Sequence, residues 1–228
     1  MARESRDPSN DDSLTGTFKE VLRKFLQGTD DMLPGMVQDY DRTTNLARVQ
    51  PLIQVVDTEG QAHNRAPVAN IPVLLIGGGT FFLSFHLPAG SLGWIKSNDR
   101  DISLFLQNFV NDRPNTARLH TFSDAVFIPD IMTNYTIAGE DAAAAVIQNQ
   151  TGTVRISLND TRIKLTAPAV EIVTTGQTSI NAATLDITAD TTITGTVTNN
   201  GINISSTHTH PQGPDSDGNT EVDTGPPQ

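Results

Sequence analysis

From Val146 to Ser206 the apolar residues come as pairs two apart, separated by short polar stretches. Ile156/Leu158, Ile163/Leu165 and Val170/Ile172 set the pattern, and Ile180, Leu185/Ile187, Ile193, Val197 and Ile202/Ile204 continue it. Ile156, Ile163 and Val170 are seven apart, as are Leu158, Leu165 and Ile172; the spacing slips to eight at Ile180 and returns to seven at Ile187. A spacing of two puts both members of a pair on one face of an extended chain. A seven-residue period also suits a coiled coil, but the spacing within each pair and the β-branched residues favour strands. This is a repeat of short strand plus turn, as in a β-solenoid or β-prism. Each repeat carries only one or two apolar residues, so a single chain buries too little surface to offset its backbone entropy. Three chains wound about one axis solve this, each repeat supplying one face of a triangular prism. The expectation is an intertwined trimeric β-helix shaft over residues 146–206.

Upstream the pattern differs. Phe18, Val21, Leu22, Phe25 and Leu26 follow helical spacing, with Lys19, Arg23 and Lys24 on the other face. Thr17-Phe-Lys-Glu20 reads as a capping box with Thr17 as N-cap, and Gly28 as the stop. Such a helix either packs on its own domain or docks on a partner. Residues 1–33 thus form an N-terminal segment with a short amphipathic helix, its first sixteen residues polar and loose. From Pro34 the spacing becomes that of strands. Gly35–Tyr40 and Leu46–Val56 flank the polar turn Asp41–Asn45, a hairpin signal. Ile71–Ile76, Thr80–Phe85 and Leu92–Lys96 read as further strands, and Gly77–Gly79 as a tight turn. No Gly-Lys-Ser/Thr follows those glycines, so they do not make a phosphate loop. Five short strands predict a barrel of OB type over residues 34–110. Residues 111–145, with Pro114 and Pro129, read as a linker, and residues 207–228 as an apex and polar tail. The fold class is all-β.

Composition adds three constraints. Cysteine is absent, which removes disulfides, thiolate metal sites and a cysteine nucleophile. The N-terminus lacks the apolar run of a secretory signal, and no stretch reaches the length of a membrane span. The net charge is −11, with no basic cluster, which argues against nucleic acid. After Lys164 there is no Lys or Arg, and after Tyr135 no aromatic residue, so the last third is acidic and lacks the usual core and hot-spot side chains.

The candidate chemistry lies in Ser206-Thr207-His208-Thr209-His210. Imidazoles at i and i+2 on an extended chain share a face, and imidazole is the commonest transition-metal ligand. His63, His86 and His120 lie far upstream. One chain therefore offers two ligands, whereas three chains on an axis bring six, the number of an octahedral site. Ile202 and Ile204 share parity with His208 and His210, so a last strand Gly201–Thr209 would point all four inward. Six nitrogens argue against zinc and leave iron, nickel and cobalt open. A bare His-x-His in a polar tail is also often only exposed sequence.

Several stretches carry a family resemblance: Pro34-Gly-Met-Val, Tyr40-Asp-Arg, Ala47-Arg-Val-Gln-Pro-Leu52, Ile71-Pro-Val-Leu with Gly77-Gly-Gly79, Ser97-Asn-Asp-Arg-Asp101-Ile and His120-Thr-Phe-Ser-Asp-Ala-Val-Phe-Ile-Pro129. They resemble the N-terminal domain of the central spike proteins of contractile-tailed bacteriophages, and the β-repeat and His208-x-His210 are similar to the rest of that family. The resemblance spans residues 34–210. It implies a homotrimer with an OB-fold collar, a β-helical shaft and a pointed apex. It implies one iron ion per trimer, held by His208 and His210 of three chains. It also implies a virion protein at the tip of the tail baseplate, joined to a tail hub or tube protein and driven through the host outer membrane when the sheath contracts. The tail Pro211–Gln228 is longer than that pattern.

The expected function is therefore structural and mechanical, with no catalytic residues. A metal-dependent hydrolase would need further ligands and a general base, and no His stands among the 18 residues after His210. A receptor-binding tail fibre would need anchors that the aromatic-free shaft lacks. An OB-fold nucleic-acid binder conflicts with the charge, and Trp94 reads as a strand residue rather than a stacking platform.

Overall fold

The computed structural model describes residues 13–57, 59–205, 208–210, 212–214, 216–219 and 222–225. Residues 1–12, Ser206, Thr207 and Pro211 lie outside the described residues, so the expectations placed on them are not addressed. The chain divides into two units, Met1–Val170 and Glu171–Gln228.

Helix α1 spans Leu14–Gln27. Its N-cap is Ser13, not Thr17: the Ser13 hydroxyl accepts from the Gly16 amide at 3.0 Å. The start lies earlier because Leu14 extends the apolar stripe and Ser13 is an equally good cap. Gly28 ends the helix, its amide bonded to the Lys24 and Phe25 carbonyls.

Ten-residue β1 (Met32–Asp41) pairs antiparallel with β2 (Leu46–Pro51) across the predicted turn, where Asn45 takes a positive φ of 58°. Small hairpins follow: β3 (Val55–Val56) with β4 (Ala62–His63), and, after β5 (Val68–Pro72), β6 (Ile76–Gly78) with β7 (Phe81–Leu83). The β6–β7 turn uses Gly79 at φ 61°, and a Cβ on Gly77 would stand 2.6 Å from the Phe81 carbonyl. The glycines are thus a tight turn. Strand β8 (Leu92–Arg100) leads to the short helix α2 (Ser103–Asn108) and then to β9 (Leu119–Pro129).

The main sheet has the order β5-β2-β1-β8-β9. It curls until its edges meet: Val73, just past β5, bridges Phe127 of β9 in parallel, and the Leu74 amide donates to the Phe127 carbonyl at 2.8 Å. The result is a nearly closed barrel. Its core is Val37, Ala47, Val49, Ile71, Val73, Leu87, Ile95, Phe122, Ala125 and Phe127. Gly35 and Gly93 let neighbours fill that core, since a Cβ at either would fall within 3 Å of Ile95 or Phe127 side-chain atoms.

Residues 111–145 are therefore not a linker throughout. Strand β9 lies inside that range and supplies Phe122, Ala125 and Phe127 to the core. The alternation Phe122, (Asp124), Phe127 is interrupted by a register shift between Ser97 and Asn98 on the partner strand, which hides the period of two.

Beyond the 3-10 turn Gly139–Asp141, strands β10 (Ala145–Gln148), β11 (Arg155–Asn159) and β12 (Arg162–Thr166) form an antiparallel meander within one chain. From Glu171 to Val197 no strand is present among the described residues. Strands β13 (Thr198–Asn199) and β14 (Ile202–Asn203) close a hairpin over Asn200-Gly201, both at positive φ. The chain is mostly β with few helices, as its pattern predicts.

Candidate metal-binding apex and the uncovered apolar face

The predicted last strand Gly201–Thr209 is shorter than its pattern. Strand β14 ends at Asn203, and Asn203 Oδ1 accepts from both the Ser205 amide (2.9 Å) and its hydroxyl (2.6 Å). This Asn-led turn competes with extension of the ladder. The Ser205 carbonyl then accepts the His208 amide at 3.0 Å. The parity of Ile202 and Ile204 is thus not carried through to the histidines.

The imidazoles are nevertheless brought together. The His208 and His210 rings stand 5.0 Å apart, centroid to centroid, at an interplanar angle of 83°. His208 Nδ1 lies 2.6 Å from the Ser205 carbonyl. A carbonyl only accepts, so Nδ1 is the donor in this contact and Nε2 is the nitrogen left to face a ligand. This is the arrangement that orients metal-ligating histidines, with one nitrogen donating to a carbonyl and the other free to bind. Two neighbouring imidazoles are a suitable but incomplete donor set for a transition ion. Among the described residues no group of three or more His, Asp or Glu forms a possible metal site.

The tail returns to this pair. The Thr224 amide donates to the His210 carbonyl at 3.0 Å, and the His210 amide donates to the Thr224 hydroxyl at 2.8 Å. Of the two conformations open to the tail, folding back or trailing, the described part folds back. No sequence signal marks Thr224 as the partner. Asp215 and Glu221 lie outside the described residues.

The β10–β12 meander has an unusual polarity. On one face, Arg155, Ser157, Arg162 and Lys164 surround the Gly139–Asp141 turn. Arg155 reaches Asp141 at 2.7 Å and Glu140 at 2.6 Å, and Lys164 reaches Glu140 at 2.7 Å. Asp141 is 1% exposed. Burial alone would push its carboxyl up, but Arg155, Ser157 and Lys164 outweigh it and hold it below the usual carboxylate range. On the other face, cross-strand registers align Ile147 with Ile156 and Ile156 with Leu165, and Leu158 with Ile163. All five are exposed, Leu165 at 60%. Val170, Ile172, Ile180, Leu185, Ile187 and Ile193 are likewise exposed. The sheet thus buries the Arg155–Asp141 ion pair on one side and leaves its apolar side bare.

The Asp-Arg-Asp and Ser-Asp-Ala stretches meet at the barrel's end. Arg118 binds Asp124 at 2.9 Å and Asp101 at 3.1 Å. Asp101 also accepts from the Thr116 hydroxyl at 2.6 Å and the Ser103 amide at 2.9 Å. These bonds, Thr116 and Ser103 ahead of the Arg118 charge, hold Asp101 far below the usual carboxylate range. Both buried carboxylates are saturated, so this cluster staples β8 to β9. Trp94 is half-buried in β8, its indole N–H donating to Asp130 at 2.8 Å.

Residues 33–130 match the family model described as phage protein Gp138 N-terminal domain. The match covers the barrel from β1 through β9 and supports a phage structural protein, a component of the virion. No curated protein matches the chain. Among the described residues no helix is long and apolar enough to cross a membrane.

Proposed function

We propose that this chain is the central spike of a contractile phage tail, a homotrimer that caps the tail tube and is driven through the host outer membrane. The carrying observation is the inverted meander. A sheet that buries Asp141 and Arg155 while leaving Ile147, Ile156, Leu158, Ile163 and Leu165 bare has its apolar face turned toward a partner. The same exposure continues along the acidic repeat to Ile193, so the partner runs the length of the shaft. Two further copies of the same repeat satisfy this, each strand pair covering the next in an intertwined β-helix. The order β5-β2-β1-β8-β9 with parallel closure supports an OB-type collar for the barrel, the part that meets the tail hub or tube protein.

At the apex, His208 and His210 of three chains hold one structural ion, with iron the expected metal. The ion ties three chain ends where a shaft is most prone to fray. The role is mechanical and no residue is catalytic. Metal analysis of the purified protein tests this reading: it predicts one transition ion per three chains, lost in the double variant His208→Ala, His210→Ala. One ion in each chain, or an ion with an exchangeable water, would overturn it and favour a metal-dependent hydrolase.

A further inference from the structure

Helix α1 does not pack on its own barrel. Phe18 is 61% exposed and Phe25 67%, and Leu14, Val21, Leu22 and Leu26 are as open. A 14-residue helix is marginal in water unless its apolar face is covered. The spacing of that face is specific. Leu14, Phe18, Val21 and Phe25 follow intervals of four, three and four, which are alternating d and a positions of a heptad. Leu22 adds an e position, widening the stripe from a two-stranded seam to the face of a bundle helix. Glu20 and Arg23, paired with each other at 2.7 Å, occupy c and f positions, and Lys19 a b position, all turned away from the seam. Only Lys24, at a g position, flanks it, and no opposing cation meets it.

The helix is also tethered. Four residues, Gly28–Asp31, separate it from β1. Asp30 is fixed to the barrel through Arg65 at 2.7 Å and the His120 carbonyl at 2.9 Å, and Asp31 pairs with Lys96. In a three-fold particle these anchors hold three helices at one end, pointing the same way, at the high effective concentration that tethering provides.

We infer that α1 associates with the α1 helices of two other copies as a parallel three-helix bundle above the collar, a second trimer contact separate from the shaft. The inference rests on the trimeric reading given above. The chain has no cysteine, so a single introduced thiol reports one position. The full chain is prepared as Val21→Cys, on the seam, and as Arg23→Cys, on the opposite face, and treated with a short bismaleimide. Sedimentation gives the mass of each before treatment. The bundle predicts that most Val21→Cys chains run as covalent dimers on a denaturing gel, while Arg23→Cys chains stay at monomer mass. A trimer in which neither variant, or both equally, cross-links overturns the bundle and leaves the trimer standing, the helix then serving a different tail protein. A monomer in wild type and variants alike overturns both readings.

Discussion

His210 and Thr224 hold each other through two hydrogen bonds, backbone to backbone at 3.0 Å and backbone to hydroxyl at 2.8 Å. The second ligand of the candidate site is thereby fixed by a residue fourteen positions downstream. Thr224→Ala removes the hydroxyl acceptor but keeps the amide donor. The loss should be about 1 kcal/mol of local stability, seen as roughly fivefold faster exchange of the His210 amide. Thr224→Ser should restore protection. Unchanged exchange in the alanine variant would mean that the tail does not clasp the apex.

The staple at the barrel's end predicts a dependence on acid. Asp101 has its folded pKa depressed, so its stabilising contribution is complete above its unfolded value of about 4 and is lost as pH falls below it. Asp31, Asp41 and Asp57 are also lowered, which adds to the same trend. Thermal midpoints of the barrel should be level near neutrality and fall steeply below about pH 4. Thr116→Val takes away the leading hydrogen bond to Asp101 and should lower the midpoint at pH 7 while flattening the acid limb. An acid limb identical to wild type would contradict the role given to Asp101.

Phe127 is the hinge of barrel closure, with its ring in the core and its carbonyl joined to Leu74. Phe127→Ala should cost the barrel about 3–5 kcal/mol, as for buried aromatic truncations generally. Gly93→Ala should also destabilise, because its Cβ would stand 2.5 Å from the Phe127 ring. Denaturant unfolding followed by the fluorescence of Trp94 reads both.

Much of this was legible in the order of residues. The Asp41–Asn45 turn, the strands around it, the glycine turn and the strands after Val146 are local signals, carried by Asn45, Gly79 and the pairs Ile156/Leu158 and Ile163/Leu165, whereas Val170 to Ile193 keep the same spacing without forming strands in the single chain. The capping residue lies four positions before the predicted one, because Ser13 and Thr17 are comparable caps and Leu14 carries the apolar stripe one turn further back. Strand β9 was hidden because Pro114 and Pro129 bracket it and the register shift at Ser97/Asn98 breaks its alternation. The inversion of the meander was not visible either. It depends on Asp141 folding under Arg155, a contact between residues whose pairing no period announces. The histidine pair was legible as a motif; its orientation by Ser205 and Thr224 was not, since both are turn contacts.

Leu165→Asp separates a solvent-facing sheet from a covered one. At 60% exposure in a lone chain, the change should alter stability by no more than about 0.5 kcal/mol. If the face is covered by other copies, three carboxylates meet at the axis and assembly should fail. The account predicts the second outcome, with the barrel still folded by its Trp94 fluorescence.

The most direct test of the trimer is the mass of the full chain in solution, by sedimentation equilibrium at micromolar concentration. The account predicts a single species at three times the 24.5 kDa of one chain, unchanged on dilution. A folded species at the mass of one chain, with the apolar faces of the meander and repeat open to water, would contradict it.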